Sequence, residues 1–229
     1  MIRALLFDKD GTLFDFRKSW QGPFLKMVRG VAGGDDALFA ELCAYLQISP
    51  EGHIAAGSPL VHAAGPQMEE IIRDGFPQVS HEQIQRAAHA AFAGAMPVPV
   101  MELAPFLKAL ADEGYAMAIV TNDGETSARG QMAHFGVERY FRAVVGFDSG
   151  FGAKPDPGMV TAALEKLDRK ASDAVMIGDS IADMKAGRAA GCTCVAVLTG
   201  TRSREELAPH ADVVLEDISE LPGWLAQVQ

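Results

Sequence analysis

Short apolar runs alternate with segments of helical periodicity along most of the chain, and this alternation restricts the possible folds more than any other feature. The runs that predict strands are 2–7, 116–120, 143–146, 174–177, 193–197 and 213–215. The segments that predict helices are 101–113, 125–135, 157–167, 181–190 and 218–228. Strands and helices that alternate in this way form right-handed βαβ units, with helices on both faces of a parallel sheet. The sequence therefore predicts an α/β fold.

Residues 16–97 interrupt this pattern. They are rich in Ala, Leu, Met and Gln, and helical periodicity recurs at 37–46, 67–74 and 82–93, with few strand-like runs. The Pro97-Val98-Pro99 sequence is typical of a linker that leads back to the core. A length of 229 residues suits one core domain with a substantial insertion. We expect a core of residues 1–15 and 98–229, and an inserted helical domain of residues 16–97.

The overall charge and hydropathy limit the classes of partner. The formal net charge is -10 at pH 7, whereas a non-specific nucleic-acid binder needs a surplus of clustered Lys and Arg. The sequence has no uninterrupted run of roughly 18 apolar residues, the length of a membrane span. We therefore expect neither nucleic acid nor a membrane as partner. An anionic substrate would need local positive charge from a metal ion or a few placed cations.

Cysteine usage and the first residues predict a cytoplasmic location. Cys43, Cys192 and Cys194 are odd in number and lack the C-x-x-C spacing of zinc sites, so we expect reduced thiols. Met1 leads almost directly into the apolar run 2–7, without the features of a secretory signal peptide. No feature of the sequence indicates an oligomeric state.

The first apolar run ends on two aspartates, Asp8 and Asp10, with Lys9 between them and Gly11-Thr12 after them. Two neighbouring carboxylates disfavour each other's ionisation unless a cation or a shared proton relieves the repulsion. Asp and Gly are also common turn formers, so a simple β-turn is an alternative reading. On an extended backbone the side chains of Asp8 and Asp10 share one face, and Lys9 is expected to point elsewhere. The sequence assigns no role to Lys9.

Polar residues also follow the other predicted strands. They are Thr121-Asn122-Asp123-Gly124, Lys154-Pro155, Gly178-Asp179-Ser180 and Asp183. Each has an ordinary structural explanation: a helix N-cap, an exposed lysine or a turn. Ligands in parallel α/β sheets bind at the carboxyl ends of the strands, where all of these residues are expected to meet. Their coincidence predicts one functional site.

The predicted set of side chains suits phosphoryl transfer. A cluster of Asp8, Asp179 and Asp183 without His or Cys is an oxygen-only site, which favours Mg²⁺. Asp8 can attack phosphorus and form an aspartyl-phosphate. Asp10 can protonate the leaving oxygen and later activate the hydrolytic water. Lys154, the Thr121 hydroxyl and nearby backbone N–H groups can stabilise the phosphoryl oxygens.

These residues resemble, in order, the four motifs of the haloacid dehalogenase superfamily of phosphatases. The matching stretches are Asp8-Lys9-Asp10-Gly11-Thr12, Thr121-Asn122, Lys154-Pro155 and Gly178-Asp179-Ser180-Ile181-Ala182-Asp183. The resemblance implies a Rossmann-like core, an α-helical cap inserted after the first motif, and Mg²⁺ dependence. It further implies that Asp8 and Asp179 bind the metal through side chains, Asp10 through its main-chain carbonyl, and Asp183 directly or through water. It also implies that Thr121, Asn122 and Lys154 bind the phosphate.

Within this superfamily the chain looks most like the phosphoglycolate phosphatase group, from the position and size of the insertion and from the tail 211–221. The expected substrate is a small phosphorylated metabolite such as phosphoglycolate. Lys9 departs from that group, which usually has an apolar residue at this position. Asp10 argues against a dehalogenase, because a halide leaves without a proton. A phosphosugar mutase and a non-catalytic phosphate-binding protein remain as alternatives.

The inserted domain offers two further candidates for substrate contact. His53 and His62 flank its predicted loop 49–65. The other histidines are expected in packing or surface roles; they are His81, His89, His134 and His210.

Overall fold

Short apolar segments become the buried strands of one parallel sheet in the computed structural model, which describes residues 1–61, 63 and 65–228. The strands, in chain order, are β1 (Ala4–Phe7), β2 (Phe14–Asp15), β3 (Val98–Pro99), β4 (Ala116–Val120), β5 (Phe141–Val145), β6 (Ala174–Gly178), β7 (Thr193–Val197) and β8 (Val213–Leu215). The main sheet has the order β5-β4-β1-β6-β7-β8, and each neighbouring pair is parallel.

The α-helices carry the connections between strands and fill the inserted segment. In chain order they are α1 (Phe16–Ala32), α2 (Asp36–Tyr45), α3 (Gly65–Gly75), α4 (His81–Phe92), α5 (Leu103–Asp112), α6 (Glu125–His134), α7 (Gly158–Leu167), α8 (Ile181–Ala190), α9 (Arg204–Leu207) and α10 (Leu221–Val228). Each helix within the described residues is too short or too polar to cross a lipid bilayer.

Helices cover both faces of the main sheet. Along β1, Leu5 and Phe7 pack into one apolar core, whereas Ala4 and Leu6 pack into another. The first core includes side chains of α5, α6 and α10, and the second includes side chains of α7 and α8. Successive side chains of a strand point to opposite faces, so the central strands are buried on both sides. The predicted α/β, Rossmann-like core is confirmed.

The chain divides into two compact units. One comprises Met1–Asp15 and Val98–Gln229, and the other is Phe16–Pro97. The smaller unit is helical and has its own apolar core, to which each of its helices contributes buried side chains, among them Met27, Leu42, Ile72 and Ile84. Of the two candidate histidines in this unit, His53 is exposed, and its Nδ1 lies 3.5 Å from Nε2 of Gln21. His62 lies outside the described residues.

Helix α1 was not singled out by periodicity, because Gly22 and Pro23 interrupt its pattern. A proline inside a helix costs about 3 kcal/mol. Met27, Val28 and Val31 are fully buried in the same helix, and each contributes about 1.5–3 kcal/mol on burial. Packing therefore outweighs the local disadvantage.

Two short connections also differ from the prediction. The segment 97–99, expected as a linker, contains β3, which pairs antiparallel with β2 in a separate two-stranded sheet. The short helix α9 was not predicted, although Ser203 and Glu206 form a capping box at its start. A Ser followed three residues later by Glu is a known signal for a helix N-terminus, so the sequence did contain this information.

Candidate active site

Five polar side chains converge at the carboxyl ends of the central strands. Asp8 follows β1, Thr121 follows β4 and Asp179 follows β6. Asp183 lies in the first turn of α8, and Lys154 lies in the connection between β5 and α7. All five residues are buried. The structure thus brings together side chains that are far apart in the sequence.

Lys154 is the cation at the centre of this group. Its Nζ lies 2.6 Å from Asp8 Oδ1 and 2.6 Å from Asp183 Oδ1, and it donates to the Val120 carbonyl at 2.7 Å. Burial disfavours the charged amine, but the two carboxylates outweigh this and raise the pKa of Lys154 above its ordinary value. Lys154 therefore remains a fixed positive charge at the end of the sheet.

Asn122 holds the backbone of Lys154. Its side-chain Nδ2 donates to the Lys154 carbonyl at 3.0 Å, and its Oδ1 accepts from the Lys154 N–H at 3.0 Å. The assignment of Asn122 to phosphate binding stays a prediction. Its side-chain amide holds the backbone of Lys154, and Asn122 thereby orients the lysine.

Thr121 begins the turn that leads into α6. Its Oγ1 accepts a hydrogen bond from the Asp123 N–H at 3.0 Å, which leaves the hydroxyl hydrogen to be donated elsewhere. Asp123 Oδ1 accepts from the Gly124 N–H at 2.7 Å, and its Oδ2 accepts from the Ser127 hydroxyl at 2.9 Å. Asp123 thus bonds to the residues around the start of α6, although the N-cap of the helix is Gly124, which has no side chain to cap it.

Among the described residues, the carboxylates of Asp8, Asp179 and Asp183 form a cluster with the geometry of a metal site. Each offers one oxygen, and these oxygens lie within 4.8 Å of one another. Burial raises the pKa of Asp8 to about 7; the Asp183 and Asp10 charges add to this rise and Lys154 opposes it. Burial and the two neighbouring carboxylates raise the pKa of Asp179 well above its usual value. Additional positive charge would relieve this repulsion.

Asp183 is already engaged through both of its oxygens. Oδ1 is paired with Lys154, and Oδ2 accepts from the Ser180 N–H at 3.0 Å and the Ser180 hydroxyl at 2.6 Å. These bonds belong to the capping box that starts α8. Asp183 is therefore held by protein groups at both of its carboxylate oxygens.

Two glycines allow the backbone to approach Asp179 closely. A Cβ on Gly200 would lie 1.7 Å from Asp179 Oδ2, and a Cβ on Gly11 would lie 2.4 Å from the same atom. The Thr199 hydroxyl donates to the Gly11 carbonyl at 2.6 Å, which joins the two loops. Thr199 and Gly200 were not among the predicted site residues, although they follow the predicted strand 193–197, where residues of a binding site are expected.

The expectation that Lys9 points away from both aspartates is wrong for Asp10. Lys9 is fully buried, and its Nζ lies 2.5 Å from Asp10 Oδ2 and 3.1 Å from Asp123 Oδ2. Strand β1 ends at Phe7, and Gly11 has a φ of 89°. The alternation of an extended strand therefore does not apply to residues 8–10. Burial disfavours the charged amine, but Asp10 and Asp123 outweigh this and raise the pKa of Lys9.

Comparisons with known proteins show which family the chain is similar to. A family model described as a haloacid dehalogenase-like hydrolase matches residues 2–191. The chain is 31% identical to a phosphoglycolate phosphatase of Rhodobacter capsulatus, over 97% of this chain and 96% of that protein. It is 26% identical to a phosphoglycolate phosphatase of Pectobacterium atrosepticum, over 96% of this chain and 91% of that protein.

Among solved structures, one described as a predicted phosphoglycolate phosphatase from Haemophilus somnus aligns with a TM-score of 0.75. The alignment covers 100% of this chain and 98% of that chain at 19% identity, so the likeness concerns the fold.

Proposed function

The chain belongs to the haloacid dehalogenase-like hydrolases, and from this premise we propose that it is a Mg²⁺-dependent phosphatase of small phosphomonoesters. The observation that carries the proposal is the buried group of Asp8, Lys154, Asp179 and Asp183 at the carboxyl ends of the strands. Such a group combines a nucleophile, a fixed cation and oxygen ligands in one place, as phosphoryl transfer requires.

The donor set and its charge fit a magnesium ion. Three buried carboxylates face one buried ammonium group, so a divalent cation would neutralise the remaining negative charge. The side chains of Asp8 and Asp179, the main-chain carbonyl of Asp10 and, directly or through water, Asp183 would hold it. When bound, it would supply charge neutralisation at the phosphoryl oxygens.

In the first half of the proposed reaction, Asp8 attacks the phosphorus of the ester. A bond forms between a carboxylate oxygen and phosphorus while the bond from phosphorus to the ester oxygen breaks. Asp10 gives a proton to the departing oxygen, so the product leaves as an alcohol. Lys154 and the hydroxyl of Thr121 stabilise the charge on the phosphoryl oxygens.

In the second half, Asp10 accepts a proton from a water molecule that attacks the phosphorus of the aspartyl-phosphate. The bond between Asp8 and phosphorus breaks, inorganic phosphate leaves, and both carboxyl groups return to their starting states. The same residue thus serves first as an acid and then as a base.

The relatives suggest the class of substrate and the roles of the two units. Because two of them are named phosphoglycolate phosphatases, we propose a small phosphorylated carboxylic acid such as phosphoglycolate as the substrate. Residues 1–15 and 98–229 would form the catalytic core, and residues 16–97 the helical cap domain. Cys43, Cys192 and Cys194 are unpaired thiols in the described part of the chain, in keeping with a cytoplasmic location.

The test is hydrolysis of a panel of phosphate esters, with phosphoglycolate and an aryl phosphate among them, by the purified protein with and without Mg²⁺. We expect phosphate release that requires Mg²⁺ and that is abolished by Asp8→Asn in a protein that remains folded. No release from any ester, or full activity of Asp8→Asn, would refute the proposal. Conversion of a sugar phosphate into its isomer without phosphate release would instead indicate a phosphosugar mutase.

A further inference from the structure

Lys9 is a fully buried cation that takes no part in the reaction proposed above. It lies in the loop after β1, and its ammonium group reaches two other segments of the core. Its Nζ lies 2.5 Å from Asp10 Oδ2, 3.1 Å from Asp123 Oδ2 and 2.7 Å from Gln131 Oε1. A lysine ammonium has three hydrogens to donate, and these three acceptors are within reach of them.

The partners of Lys9 other than Asp10 are themselves fixed. Gln131 lies on α6, and Asp123 accepts from the Gly124 N–H and the Ser127 hydroxyl at the start of the same helix. The ring of Phe14 lies 6.0 Å from Lys9 Nζ. The ammonium group is therefore held by the loop before α6 through Asp123 and by α6 itself through Gln131, and it contacts one oxygen of the Asp10 carboxylate.

We propose that Lys9 is a positioning residue that orients the Asp10 carboxylate for proton transfer to the leaving group. This inference rests on the role given to Asp10 under the proposed function. A carboxylate on a loop can rotate about two side-chain bonds, and a fixed charge-assisted contact to Oδ2 restricts both. Such restriction by a neighbouring group is how the geometry of reacting side chains is held in place.

Two simpler roles for Lys9 fit the structure less well. Direct binding of substrate phosphate is the role given to Lys154, which lies among the clustered carboxylates, whereas the Nζ of Lys9 lies 3.1 Å from Asp123 Oδ2 and 2.7 Å from Gln131 Oε1. A purely space-filling role needs no charge. Proteins in which a buried ion pair is replaced by apolar side chains of similar volume are often as stable as the original or more stable. Asp10 and Asp123 keep 23% and 34% exposure, so water can hydrate them without the lysine. The charge thus serves orientation rather than stability.

The experiment compares two substrates that differ in their need for a general acid. The alcohol of an alkyl phosphate is a poor leaving group and needs a proton, whereas 2,4-dinitrophenolate leaves readily as an anion. The quantity measured is kcat/KM. This ratio reports the steps up to and including the first phosphoryl transfer and does not depend on the later hydrolysis of the aspartyl-phosphate. In Lys9→Met we expect kcat/KM to fall about 10–100-fold for the best alkyl phosphate and less than about threefold for 2,4-dinitrophenyl phosphate.

Three further variants calibrate this comparison. Asp10→Asn removes the acid itself and should show the same selectivity between substrates, with a larger loss. Lys9→Gln keeps a hydrogen-bond donor without the charge and should fall between the wild type and Lys9→Met; it also replaces Lys9→Met if that variant does not fold. Lys108→Met is the matched control, because Lys108 pairs with Asp112 on the exposed surface of α5, and it should leave both values unchanged.

The outcomes separate this inference from the proposed function. A loss in Lys9→Met or Lys9→Gln that is equal for both substrates, while Asp10→Asn discriminates between them, would overturn the role of Lys9 alone. If Asp10→Asn also affects both substrates equally, or the wild type hydrolyses neither, the proposed reaction fails and the role of Lys9 fails with it. A fall in kcat/KM that is much larger for the alkyl phosphate than for 2,4-dinitrophenyl phosphate, in the variants of both Lys9 and Asp10, would support the inference.

Discussion

Lys154 joins three parts of the site through one ammonium group. Asp8 after β1, Asp183 in α8 and the last carbonyl of β4 all lie within 2.7 Å of its Nζ. Asn122 fixes the backbone of the same residue through two hydrogen bonds. A phosphoryl group transferred to Asp8 would arrive beside a cation whose position is set before the substrate binds, which is the arrangement that stabilises developing charge most effectively.

The raised pKa of Asp8 predicts how the metal-free protein responds to pH. The pKa is 3.8 in the unfolded chain and about 7 in the folded one, so the folded state binds the proton more tightly. The contribution of Asp8 to stability should therefore be most favourable at low pH and become less favourable as pH rises from about 4 to about 7. Asp8→Asn removes the titrating group, so the stability of the variant relative to the wild type should increase by about 2–3 kcal/mol between pH 5 and pH 8.

Thermal melting with a chelator at pH 5 and pH 8 measures this effect. The melting temperature of Asp8→Asn relative to the wild type should rise between the two pH values. Mg²⁺ should then stabilise the wild type more than the variant, since the variant lacks one metal-binding carboxylate. An equal difference in melting temperature between the two proteins at both pH values would show that folding does not raise the pKa of Asp8.

At the scale of elements, two loops close on the carboxylate of Asp179. The loop after β1 brings Gly11 to it and the loop after β7 brings Gly200, with Thr199 bonded to the Gly11 carbonyl. The loop after β6 carries Asp179 itself and passes directly into α8 through the Ser180 and Asp183 capping box. Three parallel strands therefore contribute loops to one carboxylate, and this fixes where a metal would bind.

Gly200→Ala should disturb this carboxylate, because the added methyl group would lie 1.7 Å from Asp179 Oδ2. We expect the Mg²⁺ concentration for half-maximal activity to rise at least about tenfold, as for other changes that displace the groups around a metal ligand. Gly223→Ala in α10 is the matched control, since nothing lies within 4 Å of its added Cβ. Equal Mg²⁺ dependence in the two variants would contradict the proposed role of Asp179.

On the scale of the whole molecule, the α/β core could be predicted from the sequence because its strands are buried on both faces. Such strands appear as short apolar runs, and the predicted strands 116–120, 193–197 and 213–215 have the observed bounds. Helix α1 was not singled out, because its Gly22 and Pro23 are compensated by packing against α4, which no local pattern reveals.

The residues of the predicted site likewise divide into those that the sequence reveals and those that it does not. Asp8, Lys154, Asp179 and Asp183 could be grouped from the sequence, because each lies where the parallel topology brings the chain to one edge. The contact between Lys9 and Asp10 and the place of Gly200 beside Asp179 could not, because both depend on the path of irregular loops. Periodicity carries no information about side-chain direction once a strand has ended.

The whole molecule also carries a net charge of -10, so its overall field does not favour an anionic substrate. The attraction must be local, and in the core it comes from Lys154 together with the metal that the neighbouring carboxylates would hold. A phosphorylated enzyme is then the species that distinguishes this account from one in which the protein only binds phosphate.

The most direct measurement is rapid quenching of the enzyme during turnover, followed by mass spectrometry of its peptides. With Mg²⁺ and a good substrate, we predict a phosphoryl group on the peptide that contains Asp8. In Asp10→Asn, tested with 2,4-dinitrophenyl phosphate, this species should accumulate because the base for its hydrolysis is missing. Phosphate release without any phosphoryl group on that peptide, in either protein, would contradict Asp8 as the nucleophile.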